Sequence, residues 1–249
     1  MLKTEWYRDW FSSPYYEILY FRRDQEEARR FIEKLIQNLQ PAPGSTMLDV
    51  ACGKGRFSKC LAERGFDVTG IDLSEPFIEE AKKFETETLH FFLHDMRMPF
   101  SINYFDYAFN FFTSFGYFRT MREDDNAART VAQSLKIGGI FVIDYLNAHY
   151  TEDHLVKEEE KMIEGVKFTI SRWCDDKHFF KQIRIEDNKH LGSKQIFTER
   201  VAKFSLGDFT DMLAYQGMQV QNVFGDYELG QYDIRRSPRM IIIAKKMRY

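Results

Sequence analysis

The 249-residue chain predicts an α/β fold: a doubly wound, mostly parallel sheet with an antiparallel last strand, plus an antiparallel β insertion and an N-terminal helical segment. Two observations carry this. Short apolar runs alternate with helix-period segments five times between residues 46 and 145. Alternation of that kind builds a parallel sheet, because each crossover back to the sheet is a helix. Residues 150–205 then offer strand-like runs only, before the alternation resumes toward the C-terminus.

Residues 24–39 read as a helix. Ala28, Phe31, Ile32, Leu35 and Leu39 share one face, Asp24 with Glu27 forms a capping-box-like pair, and Pro41-Ala42-Pro43-Gly44 forbids continuation. TMLDV (46–50) is the first strand and ends in a glycine-bearing turn. Arg56–Arg64 is helical through Phe57, Cys60 and Leu61, and Gly65 closes it. The second strand is 66–71, followed by Ser74 as N-cap with Pro76 in the first helical turn. Leu89–Leu93 and Phe105–Phe111 are the third and fourth strands. A helix over 123–136 turns Ala127, Ala128, Val131 and Leu135 inward, and Gly138-Gly139 stops it before a fifth strand, Ile140–Tyr145. In the insertion, Val166–Trp173, Phe179–Glu186 and Lys194–Phe204 are strands, with a turn at Asp187-Asn188-Lys189. A helix near 207–216 and strands at 218–224 and 239–244 complete the chain. The expected organisation is a helical cap over 1–43, a core formed by 44–149 and 206–249, and an insertion over 150–205 acting as a lid or a dimer element.

A formal net charge of −3 gives little counterion-release energy for binding a nucleic acid. Three scattered cysteines fit a reducing compartment better than a disulfide framework. The first residues lack a signal-peptide core, and no apolar run reaches membrane-spanning length, so a soluble cytoplasmic protein is expected. The six histidines show no metal-ligand spacing, and no metal is expected.

The chemistry concentrates in LDVACGKGRF (48–57), where a strand ends, the backbone turns on Gly53 and Gly55, and a helix starts. Glycine there lets a ligand approach the backbone, and the helix start offers unpaired N–H groups. A tight structural turn would explain the glycines equally. Three acids narrow the reading. Asp49 lies in the strand end, where a carboxylate suits an ammonium group and suits a pyrophosphate poorly. Asp72 ends the second strand, where it can accept from ribose hydroxyls. Asp95 follows the third strand, placed to accept from an adenine amino group. All three fall at strand C-terminal ends, the ligand-binding edge of such sheets.

With these pieces the sequence resembles class I (Rossmann-like) S-adenosylmethionine-dependent methyltransferases. The match runs over about 44–146 and more loosely over 207–244, through LDVACGKGRF, VTGID (68–72), HDM (94–96), FDYAFNF (105–111) and LKIGGIFVID (135–144). Ala51 stands where the family usually has its first glycine. The resemblance implies S-adenosyl-L-methionine as cofactor. It implies that Asp49 and the 51–55 backbone (Ala51, Cys52, Gly53, Gly55) hold the methionine part. Asp72 would take the ribose, Leu73 and Met96 the adenine faces, and Asp95 the adenine amino group, with Asn110 and Phe111 beside the methionine and methyl.

The fourth strand lacks the Pro-Pro-aromatic run usual in methyltransferases of adenine or glutamine amides, and SFGYF (114–118) is closer to small-molecule N- and O-methyltransferases. A small-molecule acceptor is therefore expected, preferably an amine because no compelling base is visible, with no nucleic-acid or membrane partner and with a homodimer as an option. Tyr16 and His149 are the candidates for a catalytic role, with Tyr15, His94 and His154 as neighbours to consider. The aromatic N-terminus either closes over the cofactor or packs on the sheet edge. A nicotinamide reductase would want glycine at position 58, which is Ser58. A non-catalytic cofactor-binding subunit and a nucleic-acid methyltransferase are the remaining alternatives.

Overall fold

The computed structural model describes residues 5–20, 25–187 and 194–248. Two short helices, α1 (Trp6–Phe11) and α2 (Pro14–Tyr20), precede α3 (Gln25–Leu39). The predicted face of α3 is the buried one: Ala28, Phe31, Ile32 and Leu35 pack with Phe57, Cys60 and Leu61. The Asp24 cap lies outside the described residues. There follow β1 (Thr46–Val50), α4 (Arg56–Ala62), β2 (Asp67–Asp72), α5 (Glu75–Lys82), β3 (Leu89–Leu93), β4 (Phe105–Asn110), α6 (Met121–Ser134) and β5 (Leu135–Leu146). After α7 (Ala148–Asp153) come four antiparallel strands, β6 (Glu158–Ile163), β7 (Val166–Cys174), β8 (His178–Asp187) and β9 (Lys194–Ala202). The chain closes with α8 (Leu206–Tyr215), β10 (Met218–Phe224) and β11 (Arg239–Lys246).

The seven-stranded sheet has the order β10-β11-β5-β4-β1-β2-β3, with β11 antiparallel to both neighbours. Both faces are covered, and strand alternation divides the core in two. Leu48, Val50, Phe141, Ile143 and Tyr145 face one cluster, whereas Met47, Val142, Ile241 and Ile243 face the other. From β1 the chain steps outward to β2 and β3, then returns to β4 on the other side of β1. The order reverses there, and this is where such sheets open a ligand crevice.

Several expectations are corrected. Gly138-Gly139 does not precede the fifth strand but lies inside β5, at a bulge where pairing jumps from Phe105↔Leu135 to Tyr107↔Ile140. Helix α6 starts two residues early because Thr120 and Glu123 form a capping box; Ser205 and Asp208 do the same for α8. Ser74 does precede α5, but its side chain makes no capping hydrogen bond. The fourth insertion strand, β6, was hidden by its charge-rich EEEKMI sequence, which suits an exposed edge. Residues 188 and 189 of the expected turn lie outside the described residues.

Candidate functional site

A cavity of about 410 Å³ opens beyond the C-terminal ends of β1, β2 and β4. The 51–55 loop forms its floor through three left-handed residues: Ala51 (φ 60°), Gly53 (φ 57°) and Gly55 (φ 76°). The two glycines serve different purposes. A Cβ on Gly53 would meet only Phe77, at 4.0 Å, so that side faces open space. A Cβ on Gly55 would fall 2.6 Å from Phe91 Cε1. Gly55 is thus demanded by core packing as well as by backbone angle, and it does not line the cavity.

Asp72 ties this loop to the second strand. Its Oδ2 accepts from the Gly53 N–H and its Oδ1 from the Ser74 N–H, both at 2.8 Å. Burial raises its pKa, partly offset by those two donors. Asp49 is fully buried, and its Oδ2 accepts from Ser58 Oγ at 2.6 Å. Burial, with the Asp72 charge added, pushes the Asp49 carboxyl up to about 7 against the pull of Ser58. Ser58, which speaks against a dinucleotide fingerprint in the sequence, is thus explained by what its hydroxyl does, since it is the hydrogen-bond partner of Asp49. Burial also pushes the Cys52 thiol up, reinforced by Asp49 and Asp72.

Asp95 is held by Arg97, whose Nη2 lies 2.6 Å from Asp95 Oδ2 and whose Nη1 reaches Glu123 at 2.8 Å. Burial opposes ionisation of Asp95, but the Arg97 hydrogen bonds and charge outweigh it and hold the pKa below the usual range. Leu73 and Met96 line the cavity beside Asp95, with Phe77 near them. Asn110 is buried at the end of β4; its Nδ2 donates to Val50 O at 3.0 Å, and its Oδ1 has no partner among the described residues.

Asp49, Ala51, Cys52, Gly53, Asp72, Leu73, Asp95, Met96 and Phe111 are thus brought together around one cavity, and Tyr16 and His94 join them. Gly55 and Asn110 stand behind the wall. His149 does not line the cavity; it lies on α7, as His154 lies just beyond that helix. The His94 ring is within 3.0 Å of Met98 O.

Sequence reasoning missed two groups. Asp144, at the end of the fifth strand, is buried and accepts from Phe112 N at 2.8 Å, Tyr227 Oη at 3.0 Å and Arg239 Nε at 2.8 Å. It anchors the loop after β4, where Phe112 (φ 62°) and Thr113 (φ 59°) are both left-handed. Its only signal was an acid inside an otherwise apolar run. Glu199 on β9 also lines the cavity, and nothing in KQIFTERVA distinguishes it from a solvated strand residue.

The site chemistry fits the expected cofactor. Three acids, Asp49, Asp72 and Asp95, line the cavity with apolar side chains between them, and a buried amide oxygen is left over nearby at Asn110. Residues 48–143 match the family described as "Methyltransferase domain". A protein of Geobacillus sp. (strain WCH70) carrying a methyltransferase name is 25% identical over 229 residues, covering 87% of this chain and 90% of that one. The dTDP-3-amino-3,4,6-trideoxy-alpha-D-glucopyranose N,N-dimethyltransferase of Streptomyces venezuelae is 31% identical over 132 residues, 52% of this chain and 54% of that enzyme. A solved S-adenosylmethionine-dependent methyltransferase from Clostridium acetobutylicum ATCC 824 shares the fold, with a TM-score of 0.77 at 18% identity over 93% of this chain and 95% of that one. Fold and domain match converge: residues 48–143 form a methyltransferase domain, and the chain has the fold of solved S-adenosylmethionine-dependent methyltransferases.

Proposed function

We propose that the chain methylates a small organic amine in the aromatic part of the cavity. One observation carries this reading: the space next to the three acids is walled by Tyr7, Phe11, Tyr16, Tyr20, Tyr117 and Phe118. A volume of about 410 Å³ with that lining has the make-up of a small-ligand pocket. A net charge of −3 does not favour a polyanion. The Streptomyces venezuelae relative is named for dimethylating the amine of a sugar nucleotide, which supports nitrogen as the acceptor atom.

The cofactor supplies a methyl group already activated on a positively charged sulfur, so orientation and exclusion of water are what the protein must add. Asp49 receives the ammonium of the methionine part. Ala51, Cys52 and Gly53 present backbone to it, with Gly55 and Asn110 supporting from behind. Asp72 receives the ribose hydroxyls while its bonds to Gly53 and Ser74 hold the loop shut. Leu73 and Met96 take the adenine faces, Asp95 takes the amino group, and Phe111 covers the methyl side. An amine needs no base once it has lost its proton. Tyr16, whose ring is wedged among Trp10, Phe11, Tyr20 and Phe77, is the hydroxyl best placed to orient it. His149 has no part in this scheme. The helical segment within 1–43 and the 150–205 insertion act as walls of the acceptor side, the core supplying the cofactor side.

The test is transfer from a methyl-labelled cofactor to matched panels of amines, phenols and sugars, with tRNA and rRNA as controls. Turnover is expected with amines. Asp72→Ala should lose about 1.5–3 kcal/mol of cofactor affinity, the scale of hydrogen bonds to a charged group. Salt-sensitive methylation of RNA with no small-molecule turnover would show the acceptor reading to be wrong.

A further inference from the structure

Glu199 is out of character for its surroundings. It points from β9 of the second sheet into an aromatic wall and lines the same cavity as Asp49 and Asp72. Its side chain is 16% exposed. Trp10 Nε1 donates to its Oε1 at 2.7 Å, and Tyr20 Oη donates to the same oxygen at 2.9 Å. The Lys181 ammonium lies 3.7 Å from that oxygen too, in the cross-strand position Lys181↔Glu199. All three contacts therefore fall on Oε1. Oε2 accepts no hydrogen bond from the described residues.

A carboxylate is costly to withdraw from water, and indole and phenol donors fixed on one oxygen hold it in one orientation. Such a group keeps its second oxygen available to a charge-complementary partner. The rings around it, Phe11, Tyr16, Tyr20 and Tyr117, offer faces that attract cations. The cavity's other acids are otherwise engaged: Asp49 with Ser58, Asp72 with two backbone N–H groups, Asp95 with Arg97, and Glu17 with Lys54 at 2.5 Å.

We propose that Glu199 is the acceptor-recognition residue, its Oε2 binding an organic ammonium group of the acceptor within the ring of Phe11, Tyr16, Tyr20 and Tyr117. This rests on the small-amine reading above and adds to it the group that reads the charge.

The experiment uses full-length protein saturated with S-adenosylhomocysteine. A fragment panel of primary and secondary amines, each with its hydroxyl isostere, is titrated by ligand-observed NMR against wild type and Glu199→Gln. Glutamine can still accept from Trp10 and Tyr20, so the wall keeps its shape. Melting temperature and S-adenosylhomocysteine affinity should be unchanged. The wild type should prefer amines over their isosteres, and the variant should lose that preference by about tenfold or more, as for one charge-assisted hydrogen bond. An amine preference that survives in Glu199→Gln overturns the assignment and leaves the amine reading standing. Absence of any amine preference in wild type, including an absence of amine hits, overturns both. Failure of wild type to bind S-adenosylhomocysteine would remove the cofactor-site assignment beneath them.

Discussion

Asp49 shows how far burial, with a second carboxylate nearby, can retune a residue. Its carboxyl, at about 7, is part-protonated at neutral pH before any ligand arrives. A cationic amino group beside it favours the ionised form and lowers that value. Binding of S-adenosylhomocysteine near pH 6 should therefore release close to one proton. Calorimetry in buffers of different ionisation enthalpy reads this directly, and Asp49→Asn should abolish it. The same shift has a sign for stability. A folded pKa above the unfolded one means the native state binds the extra proton, so this group's contribution is full at low pH and is lost as pH rises through 7. Ligand-free protein should melt higher at pH 5.5 than at pH 8 on this account, and Asp49→Asn should flatten that difference. Asp124, also raised to about 7 by burial and by its acidic neighbours, adds to the slope and sets what remains in the variant.

Among the elements, β5 and β11 do most to shape the active edge. Asp144 and Arg239 occupy adjacent antiparallel strands, and the ion pair between them, 2.6 Å long, includes a carboxylate with no exposure at all. Arg239 also donates to Thr113 Oγ1 at 2.9 Å. Removing the arginine leaves a buried carboxylate uncompensated, which costs about 3–5 kcal/mol. Arg239→Ala should show a loss of that order in urea unfolding, and adding Asp144→Asn should restore a good part of it. This pair also illustrates what the sequence could and could not say. Strand and helix periods were legible because burial on both sheet faces writes long apolar runs, as in Arg239–Lys246. The glycine loop and its three acids were legible because chemistry and position coincide in one 48-to-96 stretch. Asp144 with Arg239 was not, since the partners stand 95 residues apart in the chain and meet only through strand order. Nor was Glu199, whose partner Trp10 lies 189 residues away. The Gly138-Gly139 pair misled because a bulge and a helix stop carry the same signature.

At the scale of the molecule, one core cluster joins what the sequence divides. Trp10, Tyr15 and Leu19 of the N-terminal helices, Phe168, Ile170 and Ile183 of the insertion, Phe105 and Phe141 of the main sheet and Val131 of α6 pack together. Sections that share a core lose its burial energy together. Scanning calorimetry should accordingly give one cooperative transition for the full chain. A variant lacking 155–200 should show no native-like melt, because its remaining apolar surface would face water. Two separated transitions would contradict a shared core.

The family match ends at residue 143 and begins at 48, yet Tyr7, Phe11, Tyr16, Glu17, Tyr20 and Glu199, all in the cavity wall, lie outside it. The cavity wall thus draws both on the matched domain and on residues outside it. On the reading proposed above, substitutions in the outer set should change which acceptor is admitted without touching Asp49, Asp72 or Asp95. A chain built this way can exchange its customer while keeping its donor, and swapping only the outer residues between relatives is the shortest route to a new acceptor.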